Sequence, residues 1–84
     1  MANHDVYLHL GLLEAVPRAG AHRRRIMDFN KSLRENPDTQ GDITDRDDTD
    51  RIRQIKVIGD YAITYWHDSA VNTVMVVDIR HADR

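Results

Sequence analysis

Val6, Leu8 and Leu10 are apolar and alternate with Tyr7 and His9, and Gly11 follows. A period of two predicts a half-buried strand that ends at the glycine. Residues 12–16 fit a short helical turn, and Pro17 suits the first turn of a longer helix. Within 17–36, Ala19, His22, Ile26, Phe29 and Leu33 fall at spacings of three and four, with Met27 widening the stripe. That pattern predicts one amphipathic helix, stopped at Asn36-Pro37 because proline disfavours the α conformation before it.

Residues 37–50 contain a single strongly apolar residue, Ile43, and predict a mobile polar connection without a packed element. Residues 51–58 read as a strand. Gly59 lies in a tight turn, and 61–66 (Tyr-Ala-Ile-Thr-Tyr-Trp) form a second strand rich in aromatic and β-branched residues. Residues 67–72 turn the chain. Residues 73–79 are apolar on both faces for most of their length, which predicts an internal strand covered by the helix. The succession implies an α+β domain with two hairpins and no internal repeat.

The chain has 84 residues, enough for one small core, so a partner or a second copy is expected to share its burial. No apolar run approaches the roughly 20 residues of a membrane span, and the first residues lack a signal-peptide pattern, so a cytoplasmic protein is expected. The absence of cysteine excludes disulfide scaffolds, thiolate metal sites and thiol catalysis.

The net charge of −2 hides a segregation: 37–50 holds six Asp against Arg46, whereas the segments on either side are slightly basic. A polyanion-binding protein usually carries a clear basic excess. The acidic balance argues against strong polyanion binding by the chain as a whole.

Several clusters carry candidate chemistry. Arg51, Arg53 and Lys56, joined by Arg80 and Arg84, form a phosphate-binding patch if strand 51–58 runs beside the final strand. Strand alternation puts Lys56 on the other face from Arg51 and Arg53. The competing reading is a set of solvated charges guarding a sheet edge. Of the five histidines, His81 beside Arg80 is the best general-base candidate, while His22 on the apolar stripe is expected to pack. No HExxH motif or i, i+4 histidine pair occurs, and no metal or cofactor is implied.

Asp45-x-Asp47 opens like a calcium loop, but Asp50 and Lys56 occupy the two defining positions. Arg23 and Arg24 on the helix are candidates for contact with an acidic partner, against a solvated helix face. Tyr61, Tyr65 and Trp66 could stack bases, with strand alternation putting Trp66 on the other face from the two tyrosines, but core packing under the helix is the expected use.

Leu33-x-x-Asn36-Pro37-x-x-x-Gly41-Asp42, Arg53-x-x-x-Val57-x-Gly59-x-Tyr61-x-Ile63-x-Tyr65 and Val74-x-Val76-Val77-Asp78-Ile79 follow one another in order. In order and spacing they resemble the RelE/ParE-type toxins of bacterial type II toxin–antitoxin systems. The likeness is to a short, plasmid-stabilisation-like subgroup with Tyr65-Trp66 and a final Ala82-Asp83-Arg84. The resemblance implies a small curved antiparallel sheet packed against an N-terminal helical hairpin. It also implies a cognate antitoxin that neutralises the chain.

Two activities are implied: metal-independent cleavage of messenger RNA in the ribosome, or poisoning of DNA gyrase without cleavage. By the resemblance, Arg53 stands where RelE-like nucleases bind the substrate phosphate. Ala62 and Ala82 stand where those enzymes are basic, and their terminal catalytic tyrosine has no counterpart before Arg84. The expectation is a toxin that engages a macromolecular target. The alternatives are an mRNA endonuclease using Arg53, Arg80, His81 and Arg84, and a degenerate member serving as a binding or regulatory subunit.

Overall fold

The computed structural model describes residues 5–81. One helix lies on a five-stranded mixed sheet, so the class is α+β. In chain order the elements are β1 (Asp5–Leu8), a 3-10 helix (Leu10–Ala15), α1 (Ala21–Glu35), β2 (Ile43–Arg46), β3 (Ile52–Ile58), β4 (Tyr61–Asp68) and β5 (Thr73–His81). The strands lie in the order β1-β5-β4-β3-β2. β2, β3, β4 and β5 pair antiparallel in turn, but β1 joins β5 in parallel, with Val6 beside Val74 and Leu8 beside Val76, so the sheet is mixed and not the wholly antiparallel one expected.

Four further expectations are corrected. The first strand stops at Leu8, where the His9 imidazole accepts the Gly11 N–H and caps the 3-10 helix. The long helix begins at Ala21 rather than Pro17, because Gly20 turns the chain with φ +96, a conformation costly for residues with a Cβ. The N-terminal part is therefore one α-helix preceded by a 3-10 turn, not a hairpin of helices. The 37–50 segment contains a strand: β2 pairs with β3 despite its polar sequence. Its carboxylates satisfy the local backbone, as Asp47 accepts from the N–H groups of Thr49 and Arg51.

The core fills the space between α1 and one sheet face. Val16, Ile26 and Leu33 meet Ile58, Ile63, Tyr65, Val74, Val76 and Ile79 there. The Phe29 ring packs edge-on against Tyr65 at 5.4 Å. Of the expected stripe, Ile26 and Leu33 are fully buried, while Ala19 precedes the helix and is exposed. His22 is also exposed, yet its ring leans on Tyr61 at 5.8 Å and closes over Gly59. Gly59 has φ +59, and a Cβ there would strike that ring. Asn30 takes the buried place on the helix that no apolar residue fills.

A bulge shapes the opposite face. Thr64 pairs with Asp78 and Tyr65 with Val76, so Val77 has no partner across the ladder. Extra residues of this kind bend a strand and re-aim its side chains. Among the described residues, no helix is long and apolar enough to cross a membrane.

Candidate functional site

Strand registers assign each candidate to a face. Arg53, Ile55, Ala62, Thr64, Asp78 and Arg80 lie on the face away from α1, around a shallow concavity of about 480 Å³ that Asp45 and Val77 also line. Of the expected patch of Arg51, Arg53, Lys56, Arg80 and Arg84, the concavity brings together Arg53 and Arg80. They are not on adjacent strands, since β4 lies between β3 and β5.

Each arginine in the concavity has a carboxylate beside it. The Arg53 Nε and Nη2 donate to the two oxygens of Asp45 at 2.9 and 2.8 Å, a bidentate pairing across β2 and β3. These hydrogen bonds hold the Asp45 carboxyl below its ordinary range and raise Arg53 further. Arg80 Nε donates to Asp78, two residues away on the same strand edge. Two guanidinium–carboxylate pairs thus frame the half-buried Ile55 and the exposed Val77. That arrangement presents hydrogen-bonding edges without a cationic excess, and it suits docking better than strong phosphate capture.

The other candidates separate. Arg51 shares the face with Arg53, but its guanidinium lies 3.9 Å above the Trp66 ring and its Nη1 reaches Asp47 at 3.0 Å. Trp66 is therefore on the open face, opposite Tyr61 and Tyr65 as the alternation predicts, so the expected core packing holds for the two tyrosines and is corrected for Trp66. Lys56 points to the helix side, 3.9 Å from Asp42. His81 also faces that side, where its ring meets Tyr61 edge-on at 5.1 Å. Successive residues of a strand face opposite ways, so Arg80 and His81 cannot act together on one phosphate. Arg84 and Ala82 lie outside the described residues.

On the helix side, the Arg23 Nη1 donates to the Pro17 carbonyl at 3.2 Å and borders a groove with Leu13, Glu14, Val16 and Arg18. Arg24 is exposed. Asp45 and Asp47 are engaged by Arg53 and Arg51, and no group of three potential metal ligands converges among the described residues.

Sequence reasoning missed Asp45, Thr64, Val77 and Asp78 as lining residues. The alternation of Asp45-x-Asp47 with Arg51-x-Arg53 was the available signal: folded as a hairpin, it sets opposite charges across from each other. No family model, curated protein or solved structure matches the chain.

Proposed function

We propose that this chain is a toxin of the RelE/ParE type, neutralised by a cognate antitoxin, which inhibits growth by docking its open sheet face on a macromolecular target. The resemblance supplies the family. The observation that carries the docking mode is the pairing of Arg53 with Asp45 and of Arg80 with Asp78 around one concavity. Cleavage of RNA through its 2′-hydroxyl needs cations on the scissile phosphate and a group to take the proton. Here each cation is balanced by its own carboxylate, and His81 sits on the other side of the sheet.

The alternative, a ribosome-dependent mRNA endonuclease, draws on the same two arginines, since they line one hollow with the Thr64 side chain. Tightly controlled induction in a bacterial host separates the readings. Docking gives growth arrest with intact messenger RNA, relieved by an Arg53→Ala, Arg80→Ala double substitution. New cleavage sites in messenger RNA establish the nuclease instead. Normal growth with folded protein overturns both and leaves a degenerate binding subunit.

A further inference from the structure

The sheet face opposite α1 is uncovered by any described element. Tyr7, Ile43, Val57 and Val77 expose 53%, 53%, 40% and 40% of their surface, and the registers of their strands place them on this side. Met75, Trp66 and Ile55 fill the rows between them. Thr64, Asp78 and the Arg53–Asp45 pair sit among them, so the uncovered face mixes apolar and charged side chains, as specific interfaces do.

The charges on this face narrow the choice of partner. Its arginines are paired one to one, Arg51 with Asp47, Arg53 with Asp45 and Arg80 with Asp78. A phosphate backbone finds no surplus cation here. A protein partner of one dominant sign would have to break these pairs. A second copy meets them with the same alternation of signs.

The layout suits a two-fold axis. Asp78 lies beside Thr64 on β4, and Thr64 beside Ile55 on β3, so the two ion pairs flank β4 on opposite sides. An axis along β4 lays β5 of one copy over β3 of the other. The Asp78–Arg80 pair of each copy then approaches the Arg53–Asp45 pair of its mate, and Val77 covers Ile55. Aligned sheets pack in this way about 10 Å apart.

The area is also adequate. The five strands have 4, 4, 7, 8 and 9 residues; at about 3.3 Å per residue and about 4.8 Å between strands they offer about 500 Å² per copy. Doubled, that is about 1,000 Å², the size at which a specific interface begins.

We infer that the chain forms a two-fold dimer through its open sheet face, and that this dimer is a resting state in which the arginine concavity is hidden. The inference concerns the face used in the toxin reading, but its evidence does not depend on that reading.

Sedimentation velocity of the purified chain, up to about 100 μM, tests it. The expected mass at the upper concentrations is twice the 9.7 kDa of one chain. Val77→Lys and Val57→Lys should each weaken dimerisation at least about tenfold while far-ultraviolet circular dichroism stays unchanged. If either fails to fold, Tyr7→Lys on the exposed first strand serves in its place. A folded chain that stays monomeric throughout overturns the dimer. So does a dimer indifferent to these substitutions, which must use another surface. A monomer that arrests growth refutes the dimer and leaves the toxin reading standing; a dimer without effect on growth upholds the dimer, whose hidden docking face is then silent.

Discussion

Arg53 and Asp45 face each other across the edge hairpin, their planar groups joined by two hydrogen bonds of 2.9 and 2.8 Å. The pair decides what the open face can bind, because the carboxylate occupies the guanidinium edge that a phosphate would take. Asp45→Asn should release that edge. Affinity for a single-stranded RNA oligonucleotide, read by fluorescence anisotropy, should rise several-fold, and its salt dependence should steepen by roughly one counterion. An unchanged affinity would mean that Asp45 does not mask Arg53.

The same hairpin should be the acid-sensitive part of the fold. The Arg51 backbone N–H and the Thr49 hydroxyl, with weaker help from the Arg51 charge, lower the Asp47 carboxyl from 3.8 to about 2. Asp45 is lowered by Arg53. A depressed carboxylate stabilises the folded state above its unfolded pKa, and that stability is lost as pH falls through the folded value. Amide exchange in β2 and β3 should therefore accelerate between about pH 4 and pH 2, ahead of β4 and β5. Asp47→Asn should remove most of that dependence.

Asn30 is 8% exposed, and neither its Oδ1 nor its Nδ2 has a hydrogen-bond partner among the described residues. Burying an unpaired amide costs roughly 1–3 kcal/mol. Asn30→Leu should therefore stabilise the chain by about 1–2 kcal/mol, which for a domain of this size raises Tm by roughly 4–8 °C per kcal/mol. A lower melting temperature would show that the amide is satisfied within the fold.

Tyr65 ties the segment after α1 to the sheet: its hydroxyl donates to the Thr39 carbonyl at 2.9 Å. Burial, helped by the Asp42 charge, pushes the phenol up from 10.0 to about 12. The unfolded chain thus ionises first on the alkaline side. Stability held below pH 10 should fall as pH rises towards 12, by up to about 2–3 kcal/mol. Tyr65→Phe should lose about 1 kcal/mol at neutral pH and show a flatter alkaline limb in chemical denaturation.

Some of this architecture is written locally. The i, i+3, i+4 spacing of Ile26, Phe29 and Leu33 marks the helix and its buried side, and Gly59 marks the β3–β4 turn. β2 is not legible in this way. Its residues Ile-Thr-Asp-Arg carry no apolar alternation, and what holds them is the ladder to β3 with the Asp45–Arg53 bridge. Asn30 escaped notice because a polar residue at a core position breaks the pattern by which cores are recognised. The concavity was half legible: Arg53 and Arg80 were named from the sequence, but their carboxylate partners were not.

The sequence by itself determined the α+β class, the helix, the three long strands and their alternation, because periodicity and turn chemistry act over a few neighbouring residues. The tertiary structure alone decided that β1 joins β5 in parallel, that β4 separates β3 from β5, and that Arg80 and His81 part to opposite sides of the sheet. Those outcomes depend on which strands pair and in which register, a choice made by burial of distant residues against one another. The Val77 bulge is of the same kind: it exists only in the pairing of β4 with β5, and it helps shape the face on which the candidate site lies.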